Sequence, residues 1–341
     1  MQQRKLGKTG LTVGEIALGG LYTSTLGLGT AETERILHVA IDMGVTLLDT
    51  APGYGDSEKT VGEAFRALGN KTDKLRVSTK LGGRPKPFNP RDAKGLLASV
   101  NESRRLLGRD VIDILSIHEP DRPGIYDWWE DQSTCTGPVM DVLNKLKSDG
   151  IVRNIGLGGT TVSELTRIIS TDKFDTVLSA FNYNALYREA ADEQLPAAKA
   201  RNMGIIIGSV FGQGGLGRRF DDIVKDRPFW LSLPRQKQLL AFYALLDETG
   251  MSITEMSLRF VLSNPDISCA LIGAKTAAQL ETSLDQGSKG PLGADILLKL
   301  DAIAAMVPFR PFEEPMILPF GKNYAGPGFP NLGAAVPVGK F

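Results

Sequence analysis

Short apolar runs alternate with longer stretches of helical period along nearly the whole chain, after an opening hairpin candidate, "RKLGKTGLTV". The strand-like runs are "EIALG", "VTLLDT", "LRVSTK", "DILSIH", "NIGLG", "TVLSAF", "GIIIGS" and "CALIG". Apolar runs of this length, bounded by turn formers, read as buried strands. The helical candidates between them include Ser57 to Leu68, Pro90 to Leu107, Val139 to Asp149, Val162 to Ser170, Ala190 to Asn202 and Thr276 to Leu284. In the first of these Ser57 is placed to cap the helix, and Val61, Ala64, Phe65 and Leu68 share one face.

Regular alternation of strand and helix is the pattern of a parallel sheet. Eight units, with no composition break or Ser/Pro-rich linker, predict a single closed (β/α)₈ barrel over residues 1–310. Residues 311–341, rich in Gly and Pro and without helical period, predict an extended C-terminal tail. The competing doubly wound sheet needs a G-x-G-x-x-G turn after an early strand, and neither "GLYTSTLGLG" nor "PGYGDSE" supplies it. A barrel also tells where to look for chemistry, because its sites are built at the C-terminal ends of the strands.

Composition narrows the classes further. An apolar fraction of 42% and a charged fraction of 23% are those of an ordinary globular protein. Equal numbers of acidic and basic residues leave no net charge to draw the chain to nucleic acid or an anionic membrane. The N-terminus lacks the apolar core of a signal peptide and no window reaches the length of a membrane span, so a cytoplasmic location is expected. With Cys135, Cys269, His38 and His118 as the only cysteines and histidines, no metal site is expected.

Polar residues punctuate the predicted strand ends. Asp49 follows "VTLL", Tyr54 stands in the loop after it, Lys80 closes "RVST" and His118 closes "DILSI". Each alone has an ordinary reading: a cap, a packed ring, a solvated ammonium, a hydrogen-bonded imidazole. A barrel, however, gathers consecutive strand ends on one face. Together the four suit proton transfer to an oxygen. A tyrosine hydroxyl titrates near about 10, so it needs a neighbour that stabilises phenolate. Lys80 supplies the charge, Asp49 holds the lysine, and His118 can orient a carbonyl oxygen or relay its proton.

From "RKLGKTGLTV" to about residue 285 the chain resembles the aldo-keto reductase superfamily, in the branch of L-galactose and related aldose dehydrogenases and sugar-aldehyde reductases. The resemblance rests on "VTLLDTAPGYGDSE", "VSTKLGG", "DVIDILSIHEPD", "LKSDGIVRNIGLGG" and "LIGAKTAAQLE". It implies a barrel that takes NADPH or NADH without a Rossmann motif. It makes Tyr54 the general acid in reduction and the base in oxidation, tuned by Lys80 and Asp49, with His118 guiding the substrate. "GAKTAAQLETSL" resembles the segment that grips the adenosine end, with Gly273, Lys275, Thr276, Gln279 and Thr282 as contacts. A Lys and a Thr near a helix start favour a 2′-phosphate, hence NADP, with NAD the alternative. Many members carry Glu-Asn where this chain has Thr282 and Ser283.

Further departures fall near the expected nicotinamide. Ser-Asn, Gln and a stacking Tyr of many members align with Gly158 and Gly159, Ala180 and Gly208. Ser209, Gly214 and Leu216, in or beside the glycine run Gly212 to Gly217, fit a loop over the cofactor pyrophosphate. Two long loops, "EPDRPGIYDWWEDQSTCTGP" and "VFGQGGLGRRFDDIVKDRPFWLSLP", carry all three tryptophans. Trp128, Trp129 and Trp230, with Tyr22, are candidate contacts for a sugar ring, or else anchors that keep the loops folded. The tail, with Tyr324, Phe329 and Phe341, packs on its own barrel, reaches a second copy, or is disordered. The expected activity is reduction of a sugar-like aldehyde. The alternatives are an NAD-dependent aldose 1-dehydrogenase and a non-catalytic, nicotinamide-binding redox sensor.

Overall fold

The hairpin at the N-terminus pairs β1 (Gln3–Lys5) with β2 (Thr12–Gly14) in antiparallel register and closes one end of a barrel. Leu6, at its turn, is fully buried in one cluster with Val13, Ala17, Leu47, Ile114, Ile206 and Cys269, most of them at or near the starts of barrel strands. The chain passes so close to the barrel there that Gly7 is required. Its φ is +51°, and a Cβ on it would lie 2.2 Å from the Gly204 nitrogen. The Lys8 N–H then donates to the Asn202 carbonyl at 2.6 Å.

The computed structural model describes residues 1–310, 314–315 and 317–322. Its eight parallel barrel strands are β3 (Ile16–Gly19), β4 (Leu47–Asp49), β5 (Arg76–Leu81), β6 (Ile112–His118), β7 (Val152–Gly159), β8 (Thr176–Ala180), β9 (Gly204–Gly208) and β10 (Cys269–Ile272). They pair in chain order, and β10 closes on β3 through Ala270 opposite Ile16. The fold is a (β/α)₈ barrel, and every strand sits on a run read from the sequence.

Helices cover the outside. Ser57–Leu68 buries Val61, Ala64 and Phe65, as its periodicity requires. Ser57 does not cap it: as the first helical residue it donates from Oγ to the Gly20 carbonyl at 2.7 Å, tying the loop after β3 to this helix. Ala93–Leu107 starts later than expected because Asp92 caps it, accepting from the Lys94 N–H at 3.1 Å. The second long loop holds a short helix, Asp221–Asp226.

Helices Thr30–Asp42, Leu233–Thr249, Ile253–Leu262 and Ala294–Ala305 were not among those singled out by sequence. Leu233–Thr249 shows why pattern fails. It buries Arg235 and Gln238 completely beside Leu239, Phe242, Tyr243 and Leu246, while Leu233 and Leu240 stay 50% and 47% exposed, so polar residues share the inward face and blur its apolar stripe. The inward charge has a reason. Arg235 donates to both Glu314 oxygens, at 2.7 and 2.9 Å, in a fully buried pair that fastens the start of the tail. Phe320 stacks on Phe220 with centroids 4.7 Å apart. Tyr324, Phe329 and Phe341, on which a subunit contact through the tail was expected, lie outside the described residues. No described helix is long and apolar enough to cross a membrane.

Candidate active site

Strand register assembles the site. Asp49 pairs with Ser78 on β5, Lys80 with Ser116 on β6, and His118 with Gly158 on β7. Each step climbs two residues, and since side chains alternate with period two, Asp49, Ser78, Lys80, Ser116, His118 and Gly158 share one facing. Room is made by glycine: a Cβ at Gly156 would lie 2.7 Å from the Ser116 hydroxyl, and one at Gly158 would lie 3.5 Å from Lys80 Cε. Small residues on β7 thus let the long lysine cross the interior.

Lys80 donates to Asp49 Oδ2 at 2.5 Å and to the Thr50 carbonyl at 2.8 Å, and both partners of the ion pair are buried. Ser78 donates to the other Asp49 oxygen at 2.8 Å. Burial alone would lower the lysine pKa, but the Asp49 charge, and then Tyr54, outweigh it and hold the ammonium above its ordinary range. The ammonium lies 4.7 Å from the Tyr54 ring centroid, and the His118 ring meets Tyr54 edge-on at 5.8 Å. The four residues expected at strand ends therefore form one cluster.

The electrostatics correct the sequence reading at Tyr54 and define the charge state of His118. Lys80 was expected to pull the tyrosine pKa down; instead burial outweighs the ammonium and Tyr54 titrates above its ordinary value. The free protein holds a protonated phenol. His118 was a candidate proton relay. Burial, then the Lys80 charge, push its pKa down to about 3, so it is neutral near pH 7.

A model of the aldo/keto reductase family matches residues 11–305. The chain belongs to the aldo/keto reductase family. It is 28% identical to a D-threo-aldose 1-dehydrogenase from Pseudomonas sp, over 77% of this chain and 89% of that one. It is also 28% identical to L-galactose dehydrogenase from Arabidopsis thaliana, over 83% and 87%. A pyridoxal 4-dehydrogenase from Microbacterium luteolum is 27% identical, over 83% and 92%.

At the candidate cofactor end of this aldo/keto reductase, Thr276 caps helix Ala277–Ser288 by accepting from the Gln279 N–H at 3.2 Å, while Gln279 Oε1 accepts from the Lys275 N–H at 3.0 Å. Lys275 lies 5.2 Å from the Tyr22 ring centroid, and a Cβ on Gly273 would lie 3.3 Å from the same ring. Tyr22, expected beside substrate, thus stands with the candidate cofactor residues. Thr282 turns its hydroxyl back to the Ala278 carbonyl at 2.9 Å. In the glycine loop Ser209 has φ +57° and accepts the Gly212 N–H at 2.8 Å, Gly214 has φ +101°, and Leu216 is buried. Lys322 reaches that loop, donating to the Gln213 carbonyl at 3.1 Å; burial and the nearby Lys275 charge lower its pKa. Two ammonium groups close together beside a glycine loop and a helix start make a donor set that fits the phosphates of a dinucleotide.

Two of the three tryptophans behave as anchors. Trp128 and Trp129 are buried and donate from Nε1 to the His118 and Pro120 carbonyls at 3.1 and 3.3 Å. They offer no surface to a sugar ring because their job is to pin the loop after β6; Phe88 and Tyr126 pack edge-on against Trp128. Trp230 is half-buried and edge-on to Phe320 at 5.6 Å. Sequence reading missed Glu119 and Asp121. Their only signal was a pair of acids directly after His118 in "HEPD", and nothing in the pattern said that both turn inward, where they are 7% and 4% exposed.

Proposed function

We propose that this chain reduces the aldehyde of a sugar or another polyhydroxylated small molecule, using NADPH. The observation that carries the reading is a protonated Tyr54 beside a buried Lys80–Asp49 pair and a neutral His118. The nicotinamide supplies hydride to the carbonyl carbon. Tyr54 gives its proton to the carbonyl oxygen as negative charge develops there. The Lys80 ammonium, fixed by Asp49 and Thr50, stabilises the phenolate left behind, so the transfer is easier than from an isolated phenol. Neutral His118 donates a hydrogen bond that orients the carbonyl without competing for the proton. Lys275 and Lys322 support the choice of NADP through charge on the 2′-phosphate.

A second reading, NAD-dependent oxidation of an aldose, is favoured by Glu32. Its Oε1 accepts the Ala277 N–H at 2.8 Å, at the start of the very helix that Lys275 precedes. A carboxylate there, its other oxygen paired with Arg35 at 2.9 Å, suits a ribose hydroxyl better than a 2′-phosphate. The names of the aldose and L-galactose dehydrogenases point to the oxidative direction and to a sugar. Nicotinamide absorbance followed with NADPH or NADH plus sugar aldehydes, and with NADP⁺ or NAD⁺ plus aldoses, tests both. Fast NADPH loss with an aldehyde supports the reductase, and NAD⁺ reduction by an aldose alone replaces it. Tight cofactor retention with slow, substrate-independent turnover would replace both with a sensing role.

A further inference from the structure

Directly after His118 the backbone turns with φ +53° at Glu119, a conformation that a residue with a Cβ seldom adopts. The turn is held on three sides. The Glu119 N–H donates to the Gly158 carbonyl at 2.7 Å. Asp121 Oδ2 accepts the N–H groups of Thr160 and Thr161, at 2.8 and 2.5 Å, which clamps the turn to the end of β7. Gly159 makes the clamp fit, because a Cβ there would lie 2.2 Å from Asp121 Oδ1.

What this clamp presents is the Glu119 carboxyl. Its Oε2 accepts from Thr160 Oγ1 at 3.3 Å and lies 3.6 Å from Arg122 Nη1; no hydrogen bond among the described residues reaches Oε1. Its charge is felt at both Tyr54 and Tyr126, the reacting hydroxyl and the half-buried ring on the loop beside it. A second acid, Asp121, is packed behind it with Oδ1 buried and unpartnered. Two buried carboxyl groups against one half-buried arginine are costly to hold together. The cost falls beside the reaction centre, on a side chain with an acceptor oxygen to spare.

We propose that Glu119, positioned by Asp121 and Gly159, accepts a hydrogen bond from a neutral donor on a molecule bound beside Tyr54 and His118. The donor is neutral because Arg122 already answers the negative charge. Two sources carry such a group: the primary amide of a nicotinamide and a hydroxyl of a polyhydroxylated substrate. This rests on the reading of the site as a nicotinamide-dependent oxidoreductase. Glu119 binds, and Asp121 and Gly159 act through it.

The test compares the wild type with Glu119→Ala and Gly159→Ala. Quenching of tryptophan fluorescence gives Kd for NADPH and for its 3-acetylpyridine analogue, which lacks the amide NH₂. Steady-state rates give kcat/KM for glyceraldehyde and for propanal, which lacks the hydroxyls. If the donor is the amide, then at pH 8, where Glu119 is mostly ionised, Glu119→Ala weakens NADPH about tenfold, as expected for a lost hydrogen bond to a charged group, and moves the analogue less than about twofold. If the donor is a hydroxyl, both dissociation constants hold and glyceraldehyde loses about tenfold against propanal. Gly159→Ala, by displacing Asp121, reproduces whichever discrimination is lost. A general weakening that leaves both ratios unchanged overturns the proposal, as does no change at all. A wild type that binds neither cofactor form overturns the oxidoreductase reading along with it.

Discussion

Replacing Lys80 by Met isolates what the buried ion pair does. At 2.5 Å the Lys80–Asp49 attraction is about 7 kcal/mol for an effective dielectric of about 20. With side chains 1% and 3% exposed, both ions have left water, and desolvation costs several kcal/mol for each. The two terms nearly offset, so the intact pair adds little net stability. Removing one partner upsets the balance, because the remaining charge keeps its desolvation cost. In Lys80→Met, Asp49 retains among the described residues the Ser78 hydroxyl alone, at 2.8 Å, and the expected loss is about 3–5 kcal/mol. The double variant Lys80→Met with Asp49→Leu removes both charges and is expected within about 2 kcal/mol of wild type.

Urea unfolding at pH 7 of the wild type, both single variants and the double variant closes the cycle, with turnover measured on the same samples. The expected pattern is two unstable singles, a recovered double, and no recovery of turnover in the double. Such a result separates stability from chemistry and assigns the pair to chemistry. Singles that lose less than about 1 kcal/mol, or a double that loses the sum of both, would refute the account of the site as a desolvated, mutually dependent pair.

Tyr54→Phe is expected to lower kcat by about 10²–10⁴ while the cofactor Kd changes less than twofold, measured by turnover and fluorescence titration. Glu314→Ala strands the fully buried Arg235 and is expected to cost about 3–5 kcal/mol in urea unfolding, with Arg235→Met/Glu314→Leu recovering most of it. His118 and Glu119 titrate in opposite senses. His118 is held neutral down to about 3 from 6.5, so its contribution is complete above pH 6.5 and lost as pH falls toward 3. Burial, then Asp121, raise Glu119 from 4.5 to about 7, so its contribution is complete below 4.5 and about 3 kcal/mol is lost as pH rises through 7. Stability of Glu119→Gln relative to wild type should therefore improve between pH 4.5 and pH 8 in denaturation measured at both ends, and a difference independent of pH would contradict the buried, acid-paired geometry.

The barrel and the four residues at its mouth were legible because both are properties of period and residue type. A buried parallel strand must be an apolar run, and Asp, Lys or His at its end breaks that run visibly. Helix Leu233–Thr249 was hidden because its partner for Arg235 lies at residue 314, a tertiary fact that puts a charged side chain on the inward face. Trp128 and Trp129 were ambiguous for a related reason. Whether an aromatic in a long loop faces a ligand or the core depends on which carbonyls its N–H can reach, and here they belong to His118 and Pro120. Asp121 and Gly159 are 38 positions apart in sequence and meet only through the β6–β7 pairing. Each looks ordinary alone: an acid in a loop, a glycine at a strand end.

The sign of the Tyr54 shift had the same origin, and it bears on direction. A lysine beside a tyrosine suggests an activated phenolate, but that inference assumes the charge of the neighbour outweighs the loss of water. Here it does not: burial is the larger influence, and the free protein keeps its proton. A protonated donor is the starting state for reduction, whereas oxidation requires phenolate to receive the alcohol proton. Oxidised nicotinamide carries a positive ring charge and reduced nicotinamide does not, so binding the oxidised form near Tyr54 would add to the field of Lys80 and favour phenolate. Burial of the phenol and the charge of Lys80 thus act on Tyr54 in opposite senses, and the charge of an oxidised nicotinamide would add to the second.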